Sequence, residues 1–133
     1  MEIKMYPLQV HGDYRGKLIS IEECIDVPFE IKRVYYMFDT IADVVRGKHA
    51  HKSLEQLLVC MRGSCLVTLD DGTEKATVRL DDPCKGLYIA NNMWREMSEF
   101  TEDAVLVVFA SKYYDESDYI RDYDEFLRFV GKK

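Results

Sequence analysis

Two of the three histidines of the chain, His49 and His51, lie two positions apart in the segment Arg46-Gly47-Lys48-His49-Ala50-His51. Side chains two positions apart in a β-strand share one face of the sheet, and in a small barrel that face is typically the interior. An imidazole with its ordinary pKa near 6.5 can accept and return a proton at neutral pH. We therefore predict an acid–base site at His49 and His51, with a pair of exposed edge histidines as the alternative.

Arginines interleaved with aromatic residues supply the groups expected around a nucleoside diphosphate sugar. Guanidinium groups bind phosphate oxygens through paired hydrogen bonds, and aromatic rings stack on bases and sugars. Arg33 lies within an apolar run, residues 31–38, and Arg46 stands directly before the histidines. The candidate substrate-binding residues are Arg15, Arg33, Arg46, Trp94 and Arg95.

The spacing His-x-His-x3-Glu, formed by His49, His51 and Glu55, resembles the first motif of the cupins, which are small double-stranded β-helix barrels. In metal-binding cupins a further histidine from a second motif completes the metal site. The matching segment of this chain, residues 86–97, contains no histidine, and a guanidinium such as that of Arg95 cannot coordinate a cation. We therefore predict no catalytic metal and assign the histidines to proton transfer.

Most of the chain has the period-two pattern of β-strands. Runs rich in β-branched and aromatic residues recur about every ten residues between Gly, Asp and Pro, which is typical of a barrel or sandwich. The predicted strands cover residues 18–21, 31–38, 54–61, 65–69, 73–80, 86–90 and 104–110. We expect tight hairpins at residues 62–64 and 70–72. Helical spacing appears only from Ser117 to Val130, which predicts a C-terminal α-helix.

The predicted fold class is therefore all-β: a cupin-type small β-barrel (double-stranded β-helix or jelly roll) with a C-terminal α-helix. The length of 133 residues fits one domain, residues 1–133. A net charge of −6 has the wrong sign for binding nucleic acid by counterion release. No apolar stretch approaches the ~20 residues of a membrane helix, so we expect a cytoplasmic protein with no membrane partner. The four cysteines lack metal-site spacing, so we expect free thiols.

Five segments, taken together, resemble the dTDP-sugar 3,4-ketoisomerases. They are residues 31–36, 46–51, 86–89, 94–97 and 113–121, in order over roughly residues 13 to 126. The resemblance implies a dimeric enzyme without a cofactor that moves the ketone of dTDP-4-keto-6-deoxyglucose from C4 to C3. The product would be a dTDP-3-keto-6-deoxyhexose for transamination to a 3-amino sugar of bacterial surface glycans or natural products.

The resemblance also implies residue roles. His49 matches the family's proton-shuttling base, His51 its neighbouring imidazole, and Tyr35 the tyrosine beside them. The residues that match the lining of the sugar or diphosphate pocket are Arg15, Arg46 and Arg95. These residue types suit the chemistry, because one imidazole can carry the proton from C3 to C4 through an enediol while a phenol or second imidazole assists the oxygen protons.

Other functions use the same residue types. A dTDP-sugar 3,5-epimerase also deprotonates a carbon next to the C4 ketone with a histidine base. A non-catalytic sugar-nucleotide sensor and a metal-dependent dioxygenase are alternatives from other classes. The match to five ketoisomerase segments favours the isomerase.

Two positions in the sequence give opposite indications of the product's configuration at C4. The resemblance implies that members giving the galacto product have Arg directly before a Gly near the N-terminus, as Arg15 before Gly16 here, whereas Arg95 matches members giving the gluco product. The gluco product needs an acid on the ring face opposite the base, and arginine is a poor proton donor. The sequence therefore favours the galacto product.

The N-terminal segment, residues 3–10, has the alternating pattern of a β-strand and bears on the assembly of the protein. On a chain of this size it cannot bury both of its faces, so we predict that it pairs with a partner's sheet in a homodimer. Closure of the segment onto its own sheet is the alternative.

Overall fold

Short β-strands and one α-helix make up about half of residues 1–131, the part of the chain that the computed structural model describes. The strands are β1 (Lys4–Pro7), β2 (Val10–Asp13), β3 (Gly16–Ile19), β4 (Arg33–Met37), β5 (Arg46–His51), β6 (Gln56–Arg62), β7 (Cys65–Asp70), β8 (Lys75–Leu80), β9 (Lys85–Ile89), β10 (Trp94–Ser98), β11 (Val105–Ala110) and β12 (Tyr119–Ile120). The helix α1 is Tyr123–Phe129. The all-β class with a C-terminal helix is confirmed.

The strands form two large sheets and one small one. The first sheet has the order β1-β9-β6-β11-β4, the second has the order β12-β5-β10-β7-β8, and β2 pairs with β3 alone. The pairings between these strands are antiparallel. The two large sheets pack face to face, which fits the jelly-roll description. Within residues 1–131, no strand pairing closes them into a barrel.

The main core lies between the two large sheets and contains residues from both, such as Leu58 and Leu106 of the first and Val67 and Met97 of the second. The outer face of the first sheet is covered by a separate cluster that includes Phe29. Strand β11 lies inside the first sheet, so apolar side chains are needed on both of its faces. Its continuous apolar run is explained by this position.

The first predicted hairpin is wrong. Residues 62–64 connect β6 to β7, and these strands belong to different sheets. The turn is held by contacts with Thr101, whose hydroxyl accepts a hydrogen bond of 2.9 Å from the Ser64 amide. A Cβ on Gly63, which has a φ of +67°, would lie only 2.2 Å from that same hydroxyl oxygen. The second predicted hairpin, at residues 70–72, is confirmed by the pairing of β7 with β8.

The C-terminal helix is shorter than predicted. A single 3-10 turn at Glu116–Asp118 and the strand β12 precede it, because Tyr119 and Ile120 pair with the edge of β5. Asp122 caps the helix by accepting a hydrogen bond from the Glu125 amide at 3.3 Å. The helix therefore begins at Tyr123 and not at Ser117.

At the other end of the chain, β1 pairs with β9 of its own sheet. This strand pairs within its own chain, as the alternative expected, and its pairing with a partner's sheet stays a prediction. The four cysteines are free thiols, as predicted. In residues 1–131 no helix has the length and apolar character needed to cross a membrane.

Candidate active site

Strand β5 presents His49 and His51 to the space between the two sheets. Ala50, between them, points the other way and packs in the cluster formed with α1. The two imidazole rings are 4.7 Å apart between centroids and nearly perpendicular, at 84°. The Tyr119 ring lies beside both, at 5.0 Å from His49 and 4.4 Å from His51. The shared face predicted from the spacing is therefore present.

The tautomer of His51 is set by Asp118. Its Nδ1 lies 3.1 Å from Oδ2 of Asp118, and the same carboxylate accepts hydrogen bonds from the amides of Ser53 at 2.8 Å and Leu54 at 3.3 Å. A carboxylate can only accept, so the His51 Nδ1 carries the hydrogen. The Nε2 of His51 is left with its lone pair.

Both imidazoles are held in the neutral form. Burial lowers the pKa of His49 to about 3 and that of His51 to about 2, and the nearby guanidinium of Arg95 is the next cause for each. Arg121 lowers the pKa of His49 further, while Glu116 opposes it. At neutral pH both rings are therefore proton acceptors.

Arg95 is a fully buried cation on β10, paired across the strands with His49. It donates hydrogen bonds to the Met93 carbonyl at 3.2 and 3.4 Å, and a short one to Oε1 of Gln56. Burial lowers its pKa to about 10, which leaves it charged at pH 7. Within residues 1–131, no carboxylate forms an ion pair with it. The site thus holds a positive charge without a counter-ion.

A cavity of about 460 Å³ opens in front of these groups, within the range of small-ligand sites. His49, Tyr35, Arg33 and Arg46 all line it. The guanidinium of Arg33 lies 5.1 Å from the centre of the Tyr35 ring. A smaller cavity of about 190 Å³, lined by His51, also shares Arg33 as a wall residue. Six of the eight predicted site residues are therefore brought together.

The other two predicted site residues, Trp94 and Arg15, lie elsewhere. Trp94 is adjacent to Arg95 on β10, so strand alternation turns it outward, where its ring is 5.3 Å from that of Tyr123. Arg15 lies on the exposed turn between β2 and β3 and forms an ion pair of 2.7 Å with Asp13. Neither residue lines either of these cavities in this chain, and their assignment as substrate-binding residues stays a prediction.

Glu55, the third residue of the cupin-like motif, also faces away from the histidines. It accepts a short hydrogen bond from the Tyr88 hydroxyl, and burial together with this bond raises the pKa of that hydroxyl. Its neighbour Gln56 points inward instead. The motif spacing therefore identified the histidine pair but not the third inward-facing residue.

Several site residues lie within or just before the segment that the helical spacing misassigned. The guanidinium of Arg121 lies 4.2 Å from the centre of the Tyr119 ring and forms an ion pair of 2.9 Å with Glu116. This pair lowers the pKa of Glu116 to about 2. Tyr114 donates a hydrogen bond of 2.5 Å to the same carboxylate. The available signal was the family-like segment 113–121, which contains all of them.

Three buried side-chain nitrogens in residues 1–131 have no hydrogen-bond partner, and all three belong to this site. They are Nε of Arg33, Nε2 of His49 and Nε2 of His51. Buried polar groups in folded proteins are normally paired, so each unpaired group calls for an explanation. A polar ligand in the cavity would supply the missing partners.

Two packed antiparallel sheets with paired histidines between them define a cupin-like acid–base site, and comparison with known proteins specifies the class. The model of the FdtA family, described as WxcM-like, C-terminal, matches residues 1–131, and the chain belongs to this family. The resemblance to the 3,4-ketoisomerases is confirmed by the relatives.

One relative, the TDP-4-oxo-6-deoxy-alpha-D-glucose-3,4-oxoisomerase of Aneurinibacillus thermoaerophilus, is 52% identical over 99% of this chain and 95% of its own. A 3,4-ketoisomerase from Helicobacter canadensis superposes with a TM-score of 0.95, at 50% identity and 99% coverage of both chains. A mutant of the QdtA 3,4-ketoisomerase from Thermoanaerobacterium thermosaccharolyticum, in complex with TDP-4-keto-6-deoxyglucose, gives a TM-score of 0.94 at 44% identity, covering 96% of this chain and 93% of its own.

Proposed function

We propose that this chain, acting as one sugar-nucleotide isomerase domain, converts dTDP-4-keto-6-deoxyglucose into a dTDP-3-keto-6-deoxyhexose. The observation that carries the proposal is the set of three unpaired buried nitrogens around the cavity. Oxygen atoms of a keto sugar nucleotide would provide hydrogen-bond partners for them. Family membership and the names of the full-length relatives support the same reaction.

His49 is the proposed base. It removes the proton from C3, the C3–H electrons form the C3=C4 double bond, and the C4 oxygen takes up the negative charge. A proton then passes from the C3 hydroxyl to the C4 oxygen, the C3 carbonyl forms, and C4 receives the proton held on His49. Atoms and charge balance, because substrate and product are isomers. His51 and Tyr35 assist the oxygen protons.

The buried charge of Arg95 suits this sequence of steps. In the free protein this cation disfavours protonation of His49. When the intermediate forms, its oxyanion serves as the counter-ion of both the protonated His49 and the Arg95 guanidinium. A positive charge fixed in advance therefore stabilises the charged intermediate more than the neutral substrate, which lowers the barrier.

Arg33 and Arg46 are the proposed diphosphate contacts. Both line the larger cavity, and Arg33 also lines the smaller one. The partnerless Nε of Arg33 is a donor that a phosphate oxygen would satisfy. No metal or other cofactor is part of the proposal.

We also propose the galacto product. The base and the C3 hydrogen lie on one face of the sugar, and return of the proton to that face at C4 gives the galacto configuration. Arg15, at the position that the resemblance associates with product choice, is a poor proton donor, so no acid is assigned to the other face. The coupling between H4 and H5 of the product, trapped by transamination, tests this: a small coupling is expected, and a large diaxial coupling would show the gluco product.

A homodimer remains a proposal, supported by the edge of the first sheet. Strand β4 is the last strand of that sheet, and its outward residues Val34 and Tyr36 are exposed, as is Phe38 just beyond it. An exposed apolar sheet edge is a surface that proteins normally cover. Sedimentation at micromolar concentration should give the mass of two chains, and a monomer would reject the proposal. The cytoplasmic location likewise stays a prediction.

The central experiment replaces His49 by Asn. Turnover of dTDP-4-keto-6-deoxyglucose should be abolished while dTDP binding, measured by calorimetry, is retained. His11→Asn, at the exposed histidine of β2, is the matched control and should keep full activity. Retained turnover in the His49 variant would contradict the assigned base.

Product NMR of the parent protein separates the remaining functions. The isomer carries its ketone at C3, whereas an epimerase product keeps it at C4 and a sensor leaves the substrate unchanged. Detection of either of the last two results would overturn the proposed reaction.

A further inference from the structure

Gln56 is a buried amide that joins the two sheets behind the site. It is the first residue of β6 in the first sheet and is only 1% exposed. Its Oε1 accepts a hydrogen bond from Arg95 of the second sheet, and its Nε2 lies 2.8 Å from the Tyr35 hydroxyl oxygen on β4. A buried amide is costly unless its polar atoms are paired, so this double contact holds Gln56 in one orientation.

The polarity of this chain of hydrogen bonds follows from the donor and acceptor capacity of each group. A guanidinium can only donate, so the amide oxygen must face Arg95. The amide nitrogen then faces Tyr35, and because it too can only donate, the phenol oxygen is the acceptor. The hydroxyl hydrogen of Tyr35 is therefore directed away from Gln56. Within residues 1–131 that hydroxyl makes no other hydrogen bond.

We propose that Gln56 is a positioning residue that turns the Tyr35 hydroxyl proton into the cavity, where it donates a hydrogen bond to the sugar oxygen that becomes charged in the reaction. This inference rests on the proposed function, because it needs an oxyanion at C3 or C4. Tyr35 lines the larger cavity, and its hydroxyl hydrogen is free of Gln56, so a ligand oxygen in the cavity is the acceptor that we propose for it. Burial raises the pKa of Tyr35, which keeps the proton on the phenol.

Glutamate at position 56 would reverse this arrangement without changing its shape. A carboxylate accepts from both sides, so Tyr35 would donate its proton to residue 56 and present only lone pairs to the substrate. The new charge would also offset Arg95, which lowers the pKa of both histidines in the parent. Because Gln and Glu have nearly the same volume, this substitution changes the direction of the hydrogen bonds and the charge without changing the packing.

The test compares Gln56→Glu with Gln56→Met, which has a similar volume and no charge. For Gln56→Glu we expect kcat to fall about 100-fold, the scale of a lost acid–base contribution, with KM changed by less than about threefold. For Gln56→Met, in which the Tyr35 hydroxyl rotates freely, we expect a fall of about tenfold. Gln9→Glu makes the same charge change at an exposed position and should leave kcat unchanged.

A second readout does not depend on turnover. NMR titration of the free protein should show the His49 and His51 pKa values rising in Gln56→Glu relative to both the parent and Gln56→Met, since only the carboxylate offsets Arg95. Equal losses of kcat in the two Gln56 variants, or a kcat for Gln56→Glu within twofold of the parent, would overturn the inference.

If Gln56→Glu does not fold, Gln56→Met decides alone: parent-like kcat overturns the inference and a tenfold loss with unchanged KM supports it. A failure of the proposed function is distinguishable from a failure of this inference, because the parent protein itself would then not isomerise the substrate.

Discussion

The two faces of β5 and β10 show opposite ways of filling buried space. On the outer face, Ala50 and Trp94 pack against Ile120 and Phe126, and the indole nitrogen donates to Glu96 at 3.1 Å. On the inner face, one residue away along each strand, the Nε2 atom of His49 is buried and unpaired, and Arg95 is fully buried without a balancing charge.

In these two strands, the outer-face side chains serve stability and the inner-face side chains serve function. The outer face satisfies its polar groups and buries apolar area, which stabilises the fold. The inner face carries polar atoms whose burial is unfavourable without a partner, and such features are concentrated at functional sites. Substitutions on the two faces should therefore affect different measurements.

Among the substitutions that compare the two faces, Arg95→Met on the inner face is expected to have the largest effect on activity. Loss of the fixed positive charge should lower kcat about 10³-fold, on the scale of removing an oxyanion-stabilising donor. The free energy of unfolding should stay within about 1 kcal/mol of the parent, because an apolar side chain replaces a buried charge without a counter-ion. Steady-state kinetics and urea unfolding measure the two quantities. A stable variant with parent-like kcat would contradict the electrostatic role.

Phe126→Ala should show the reverse pattern on the outer face. Phe126 of α1 is fully buried against the second sheet, so truncating its side chain should lower the free energy of unfolding by about 3–4 kcal/mol. At a temperature where the variant is folded, kcat should remain within about threefold of the parent. Thermal unfolding and kinetics below the transition test this; a large loss of kcat in the folded variant would show that the faces are not separable.

Acid should destabilise the protein through the inner face. The histidine pKa values are near 6.5 in the unfolded chain and are lowered to about 3 and about 2 in the fold, so only the unfolded state gains protons as the pH falls below 6.5. The full stability is therefore present above pH 6.5, and between pH 7 and 5.5 about 2.5 kcal/mol should be lost. Urea unfolding as a function of pH measures it. The variant His49→Asn should lose about half as much stability over this pH range. A loss equal to that of the parent would show that His49 does not cause the pH dependence.

The smallest effect is expected for Asp118→Asn, which alters the partner of His51. The amide cannot accept from the His51 ring and from both loop amides as the carboxylate does, so the preference for the Nδ1–H tautomer should weaken. We expect kcat to fall about tenfold. Nitrogen-15 NMR of the ring should show a shift towards the Nε2–H tautomer. An unchanged tautomer together with a lower kcat would assign Asp118 a different role.

Much of the strand pattern was predictable because alternation is a local property. The runs that became β4, β6, β7, β8, β9 and β11 were located to within a few residues. The failures occurred where partners from distant parts of the chain decide the structure. Residues 62–64 had the composition of a hairpin but connect two sheets, and Tyr119 and Ile120 had helical spacing but pair with the edge of β5.

The sequence by itself determined that His49 and His51 share a face, since their separation matches the strand period, and the family-like segments indicated the reaction. Only the tertiary structure decided that Gln56 and not Glu55 faces these rings, that Trp94 points outward, and that Arg95 is buried without a counter-ion. The physical reason is that the strand period fixes which residues share a face but not which face becomes the interior. That choice, and every contact between β4, β6, β10 and β12, is made when the two sheets pack together.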